Sequence, residues 1–212
     1  MSSRSVTALA RLFAAMAAAA VLAGCGGPGS PLGPPSPQDI LAKPVHASSL
    51  KDAHFIVSGK FTDKGKTVAL AGDGALVYAS GSGRFKFQTT VAGQQVSFED
   101  ISVGGTDYSM TIPGSGKWVA RASAAALGPN SFAGASAFKY IGEENLPQGK
   151  AWHASAKDKD GNAFDAYIRE SDGYPIKYVE TQTGGQNITL SFDKYNTGEV
   201  ITAPPADQIQ PG

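Results

Sequence analysis

From Asp52 onward the chain alternates apolar and polar residues with a period of two, and short Gly- and Asp-rich punctuation interrupts that alternation at regular intervals. Phe55, Val57, Gly59 and Phe61 stand against His54, Ile56, Ser58 and Lys60, and Arg84-Phe85-Lys86-Phe87-Gln88-Thr89 sets rings on one side and charges on the other. Successive side chains of a strand point to opposite faces, so this spacing reads as antiparallel strands with one buried and one solvated face. Turns fall at Asp63-Lys64-Gly65-Lys66, Gly81-Ser82-Gly83, Ala92-Gly93, Pro113-Gly114-Ser115-Gly116, Asp160-Gly161, Asp172-Gly173 and Gly184-Gly185. Between them, strands are expected over 67–80, 94–104, 106–112, 117–119, 139–144, 150–157, 163–170, 176–181 and 187–195. The 26 glycines and a charged content of only 17% suit a sheet with many turns.

Two stretches depart from that period. Gln38 to Lys51 places Ile40, Leu41, Val45 and Leu50 among polar neighbours at near-helical spacing, which predicts one amphipathic helix disturbed by Pro44. Ala122 to Lys139 is mostly Ala, Ser and Gly with Leu127, Phe132 and Phe138, interrupted by Gly128-Pro129-Asn130, and is expected to form two short helices. Ala203-Pro204-Pro205 stops the sheet, and 206–212 is expected to be a mobile tail. The fold class is thus β-rich α+β: one antiparallel sheet, one N-terminal helix and a short helical insert, in a single domain over 38–205.

The first 37 residues belong to no core. Arg4 and Arg11 form a positive start, Leu12 to Ala23 an apolar run, and Ala23-Gly24 a small-residue cut site, as in an export signal over 1–24. Val21-Leu22-Ala23-Gly24-Cys25 resembles the bacterial lipobox, in which the cysteine receives a diacylglycerol, the peptide is cut before it and the new amino terminus is acylated. That resemblance implies Cys25 as the lipid-attachment residue, with palmitate-type chains holding the protein to the extracytoplasmic face of a cell membrane. Several acyl chains, at about 0.8 kcal/mol per buried CH2, anchor far more firmly than one. Gly26 to Pro37 is almost wholly Gly, Pro and Ser and reads as a tether. Cys25 is the only cysteine, so no disulfide or catalytic thiol remains.

Reactive constellations are not found. His46, His54 and His153 are scattered, and none has a partner at metal-ligand spacing. Surface or cross-strand roles are expected of them. Asp158-Lys159-Asp160-Gly161-Asn162 alternates oxygen side chains but lacks the later glycine and bidentate acid of a calcium loop, so it reads as a hairpin tip. Glu99-Asp100 and Glu143-Glu144 read as solvated turn edges. Lys plus Arg equals Asp plus Glu at 18 each, which argues against a nucleic-acid partner. No catalytic residue, metal or cofactor is called for, and the chain reads as a binding module and not as an enzyme.

The order of elements, with Tyr108 to Val119, Ala163 to Tyr178 around Asp172-Gly173-Tyr174-Pro175, and Ile188 to Val200 followed by Ala203-Pro204-Pro205, resembles the LppX, LprA, LprF and LprG lipoproteins and, more distantly, LolA. The resemblance implies a half-barrel wrapped around its helices, with an apolar cavity that carries an acylated lipid or lipoprotein through the envelope. Phe55, Val57, Phe85, Phe87, Phe98, Met110, Trp152, Phe164, Ile168, Leu190 and Phe192 are the residues expected to line it, because an Ala-rich insert is too small to cover so much apolar surface. A lipid or glycolipid is the expected ligand. The alternative is a structural or sensory lipoprotein with a filled interior that docks another envelope protein.

Overall fold

The computed structural model describes residues 34–63, 66–91, 93–123, 135–158, 161–181 and 186–211. The export signal, Cys25, most of the tether and most of the stretch expected to form the helical insert lie outside the described residues.

Helix α1 spans Pro37–His46. Ser36 caps it: the Asp39 amide donates to Ser36 Oγ at 3.1 Å, Asp39 stands in the positive first turn, and Pro37 opens the helix where no N–H is needed. The helix ends at His46 and not at Lys51. Pro44 removes one donor from the ladder, Ala47 leaves helical geometry, and Ala47 and Leu50 close the exit with bonds to Lys43 O and Ala47 O, each 2.8 Å.

The strands follow in the expected sequence: β1 (Asp52–Asp63), β2 (Lys66–Val77), β3 (Ser82–Val91), β4 (Gln94–Val103), β5 (Thr106–Ile112), β6 (Trp118–Ala122), β7 (Ser136–Leu146), β8 (Gly149–Lys157), β9 (Ala163–Arg169), β10 (Pro175–Thr181), β11 (Asn187–Tyr195) and β12 (Ile209–Pro211). They form one open, curved sheet in the order β12-β6-β5-β4-β3-β2-β1-β11-β10-β9-β8-β7. The pairing of β1 with β11 joins two antiparallel meanders, so β6 and β7, consecutive along the chain, stand far apart in the sheet. This is the half-barrel that the family resemblance implies.

Two glycines of β2 leave no room for a side chain. A Cβ on Gly74 would lie 2.3 Å from Phe55 Cζ and 2.6 Å from the Arg84 carbonyl oxygen, and one on Gly72 would lie 2.1 Å from the Lys86 carbonyl oxygen. Glycine at 74 makes room for the Phe55 ring over the sheet, and glycine at 72 lets the β3 backbone at Lys86 and Phe87 approach.

Two expectations are corrected. Ser136 to Lys139 belongs to β7, where helix was expected. The segment after Pro205 forms a 3-10 turn over Ala206–Gln208 and then β12, which pairs in parallel with β6, so the described part of the tail is ordered into the sheet. Its path is fastened early. The Asp52 carboxylate accepts the Thr197 amide at 2.8 Å, the Thr197 hydroxyl at 3.1 Å and the Gly198 amide at 3.1 Å. Arg84 then pairs with Glu199 at 3.1 Å.

Candidate functional site

Cross-strand partners share a face of the sheet, so the registers sort the expected cavity residues. One row runs Ala154, Ala166, Tyr178, Leu190, Val57, Gly72, Phe87, Phe98 and Thr111. A neighbouring row runs Phe192, Phe55, Gly74, Phe85, Asp100 and Ser109. Phe164, Ile168 and Trp152 lie on the same concave face over β8 and β9. Phe55 and Phe192 are fully buried and Phe87 nearly so, and their rings touch: Phe55 meets Phe85 at 5.4 Å and Phe192 at 5.5 Å, and Phe87 stacks on Phe98 at 4.9 Å. Burying each such ring is worth about 1.5–3 kcal/mol, so this face is the centre of the protein's stability.

Met110 is the exception. Its partner is Glu99, whose partner is Lys86, and that row projects from the convex face. In β5 the residues that look inward are Asp107, Ser109 and Thr111, so the strand's apolar members Tyr108 and Met110 look outward. Met110 does not line the concave face.

Helix α1 packs on β7, β8 and β9. Ile40 and Leu41 are buried there, and Lys43 Nζ sits 5.5 Å from the centroid of the Trp152 ring. The aromatic floor on β1 to β4 continues from that patch across the seam of β1 and β11, in one buried cluster with Ile40 and Leu41.

That floor ends in a polar nook that sequence reasoning missed. Asp107 accepts hydroxyl bonds from Ser102 at 2.6 Å and Ser123 at 2.9 Å, and the Ser123 amide reaches Gly105 O at 2.9 Å. Asp100 faces the same way. Burial of its carboxyl, with the charge of Asp107 as the second cause, pushes its pKa up to about 7. Glu99 and Asp100 are not a solvated turn pair: Glu99 faces out to Lys86 Nζ at 2.8 Å while Asp100 faces in. The signal is present in the alternation Val96, Phe98, Asp100, Ser102, which puts all four on one face.

The convex face carries charge. His153 bridges Glu144 at 2.8 Å and Asp165 at 3.0 Å and stacks on Tyr167 at 4.2 Å, and His54 meets Asp193 at 2.5 Å. These are cross-strand roles. Glu143, on the Trp152 side of β7, pairs with Lys150. The Asp158 carboxylate accepts the Asn162 amide at 2.8 Å and its side-chain N–H at 3.0 Å, closing the hairpin tip on itself. Among the described residues no group of three His, Cys, Asp or Glu side chains is arranged to hold a metal, and no helix is long and apolar enough to cross a membrane.

The chain folds as a curved-sheet half-barrel with a concave apolar face. No protein-family model and no curated protein sequence matches the chain. Solved structures do. An uncharacterised conserved protein from Thermus thermophilus is similar with a TM-score of 0.56 at 16% identity, over 82% of this chain and 98% of that one. The Mycobacterium tuberculosis lipoprotein LppX is similar with a TM-score of 0.47 at 14% identity, over 77% of this chain and 97% of that one. A LolA-superfamily protein from Nitrosomonas europaea follows with a TM-score of 0.35 at 7% identity, over 82% and 97%. The Thermus likeness shows the fold, and the other two are looser likenesses in keeping with it.

Proposed function

We propose that the protein is a non-enzymatic envelope lipoprotein, anchored through acyl chains on Cys25 at the extracytoplasmic face of a membrane, whose half-barrel binds or carries an acylated lipid. The observation that carries this reading is the aromatic floor of Phe55, Phe85, Phe87 and Phe98, which lies on β1 to β4 while α1 packs on β7 to β9. Acyl chains need no directional chemistry. They gain roughly 25 cal/mol per Å2 of apolar surface removed from water, and because these rings are already buried against their neighbours, an acyl chain enters by parting them. Asp100, Asp107 and the serines beside them end the apolar floor on β4 and β5 and leave a place for a polar head. The tether after Cys25 lets such a domain reach the membrane from which a lipid is drawn.

Native mass spectrometry of the chain purified from cells tests this. A lipid-sized mass adduct that is exchanged for an added apolar probe is the expected result. A chain that carries no adduct and binds no apolar probe contradicts the carrier reading and leaves the same fold as a docking surface for an envelope protein.

A further inference from the structure

The C-terminal segment raises a separate question, because three residues of parallel strand are a weak fastening for a chain end. Without β12, the edge of this half of the sheet would be β6, Trp118–Ala122. An exposed edge strand offers unpaired N–H and C=O groups to any other strand. β12 covers that edge from Trp118 to Ala120, and its last residue, Pro211, has no donor to give. The rest of its hold comes from a distance. Asp52, at the start of β1, grips the chain through three bonds at Thr197 and Gly198. Glu199 meets Arg84 on the convex face of β3, Pro204 is buried, and Lys117 Nζ reaches the Asp207 carbonyl at 3.4 Å. Trp118 alternates with Val119, which pairs with inward-facing Ser109, so the Trp118 ring projects from the convex face. It is nonetheless only 6% exposed, and its register partner is Ile209.

We propose that residues 196–211 form a strap that guards the β6 edge, and that the guard keeps two copies of this chain from pairing edge to edge through β6. The Asp52 clamp shortens the loop that leads to β12 and so raises its effective concentration at the β6 edge, which is how so short a strand outcompetes a second molecule. The occupant it excludes is a second copy, because β6 meeting its own twofold-related copy makes an antiparallel pair of equal length on both sides. Nothing in this device depends on what the concave face carries.

The test compares the full chain in detergent with two variants: one ending at Pro205 and one carrying Ile209→Asp in the intact chain, so that a folding defect of the truncation leaves a second route. Sedimentation gives the mass, and amide hydrogen exchange reports β6. The expected result is a monomeric parent, dimeric variants with far-ultraviolet circular dichroism like the parent's, and β6 amides that in dilute samples of the variants exchange about tenfold faster or more. Adding Ala120→Pro to either variant is expected to restore the monomer. Variants that keep the parent spectrum and stay monomeric overturn the proposal, as does a parent that already pairs through β6.

Discussion

Beneath α1 the floor of the sheet sets small residues among large ones: Ala154 and Ala166 are fully buried and Ala156 is 3% exposed, beside Trp152, Phe164 and Ile168. Across the β1 and β11 seam the floor is phenylalanine, opposed by Gly72 and Gly74 where a methyl group would strike neighbouring atoms. The same concave surface thus has two differently built halves. Small side chains let a helix settle close to the sheet in one geometry, fixed by Ile40, Leu41 and the Lys43 contact with Trp152. Large rings meet one another by ring faces and edges and specify a partner's shape less closely. The difference assigns a single helix geometry to the alanine half and most of the apolar burial, in rings that adapt to one another, to the phenylalanine half.

Breaking the phenylalanine half should cost most. Phe55→Ala removes the ring that touches Phe85 and Phe192 and is expected to lower stability by about 3–5 kcal/mol, read from the urea midpoint. Ala154→Leu puts bulk where β8 faces α1 and is expected to cost about 1–3 kcal/mol, with a changed Trp152 emission as Lys43 moves away. Lipid occupancy per folded molecule should stay as in the parent, and a loss of lipid there would collapse the distinction between the halves.

Asp100 sharpens the comparison at the polar end of the phenylalanine floor. Its folded pKa is raised to about 7, so the folded state holds a proton that the unfolded chain releases near 3.8, and stability falls as pH rises between those values. Asp100→Asn imitates the protonated acid. It is expected to match the parent near pH 4 and to exceed it by about 1–3 kcal/mol at pH 8, and melting curves across that range that run parallel would refute the buried-acid account. The smallest effect belongs to the entry of α1: Ser36→Ala should cost about 1 kcal/mol by removing the cap on Asp39 N, without moving the sheet's own hydrogen exchange.

How much of this is legible in the sequence depends on period and on neighbours. Strands such as Asn187–Tyr195 and Thr106–Ile112 stand where alternation and turn residues put them, because both signals are local. Which face of a strand turns inward is not local. Met110 reads as a cavity residue because it is apolar, yet the register with β4 turns Asp107 and Ser109 inward in its stead. Asp100 escapes notice for the converse reason, a charged residue on a face whose other members are Val96 and Phe98. The strap has no period to find: Pro204 is buried, and β12 is three residues long. α1 is legible in its capped start and overextended at its end, where Pro44 outweighs the apolar spacing that continues to Leu50. Of the candidate face, the aromatic members come from the sequence and the polar nook comes from the fold. Cys25 and the centre of the expected helical insert lie outside the described residues.

The central claim, that the phenylalanine half and not the alanine half receives an acyl chain, is tested most directly by fluorine NMR of the chain labelled with fluorophenylalanine and titrated with a palmitoyl lipid. The account predicts that the resonances of Phe55, Phe85, Phe87 and Phe98 shift together and saturate while that of Phe138, on β7, stays in place. Saturable shifts confined to Phe138, or no shift in any of the five, would contradict it.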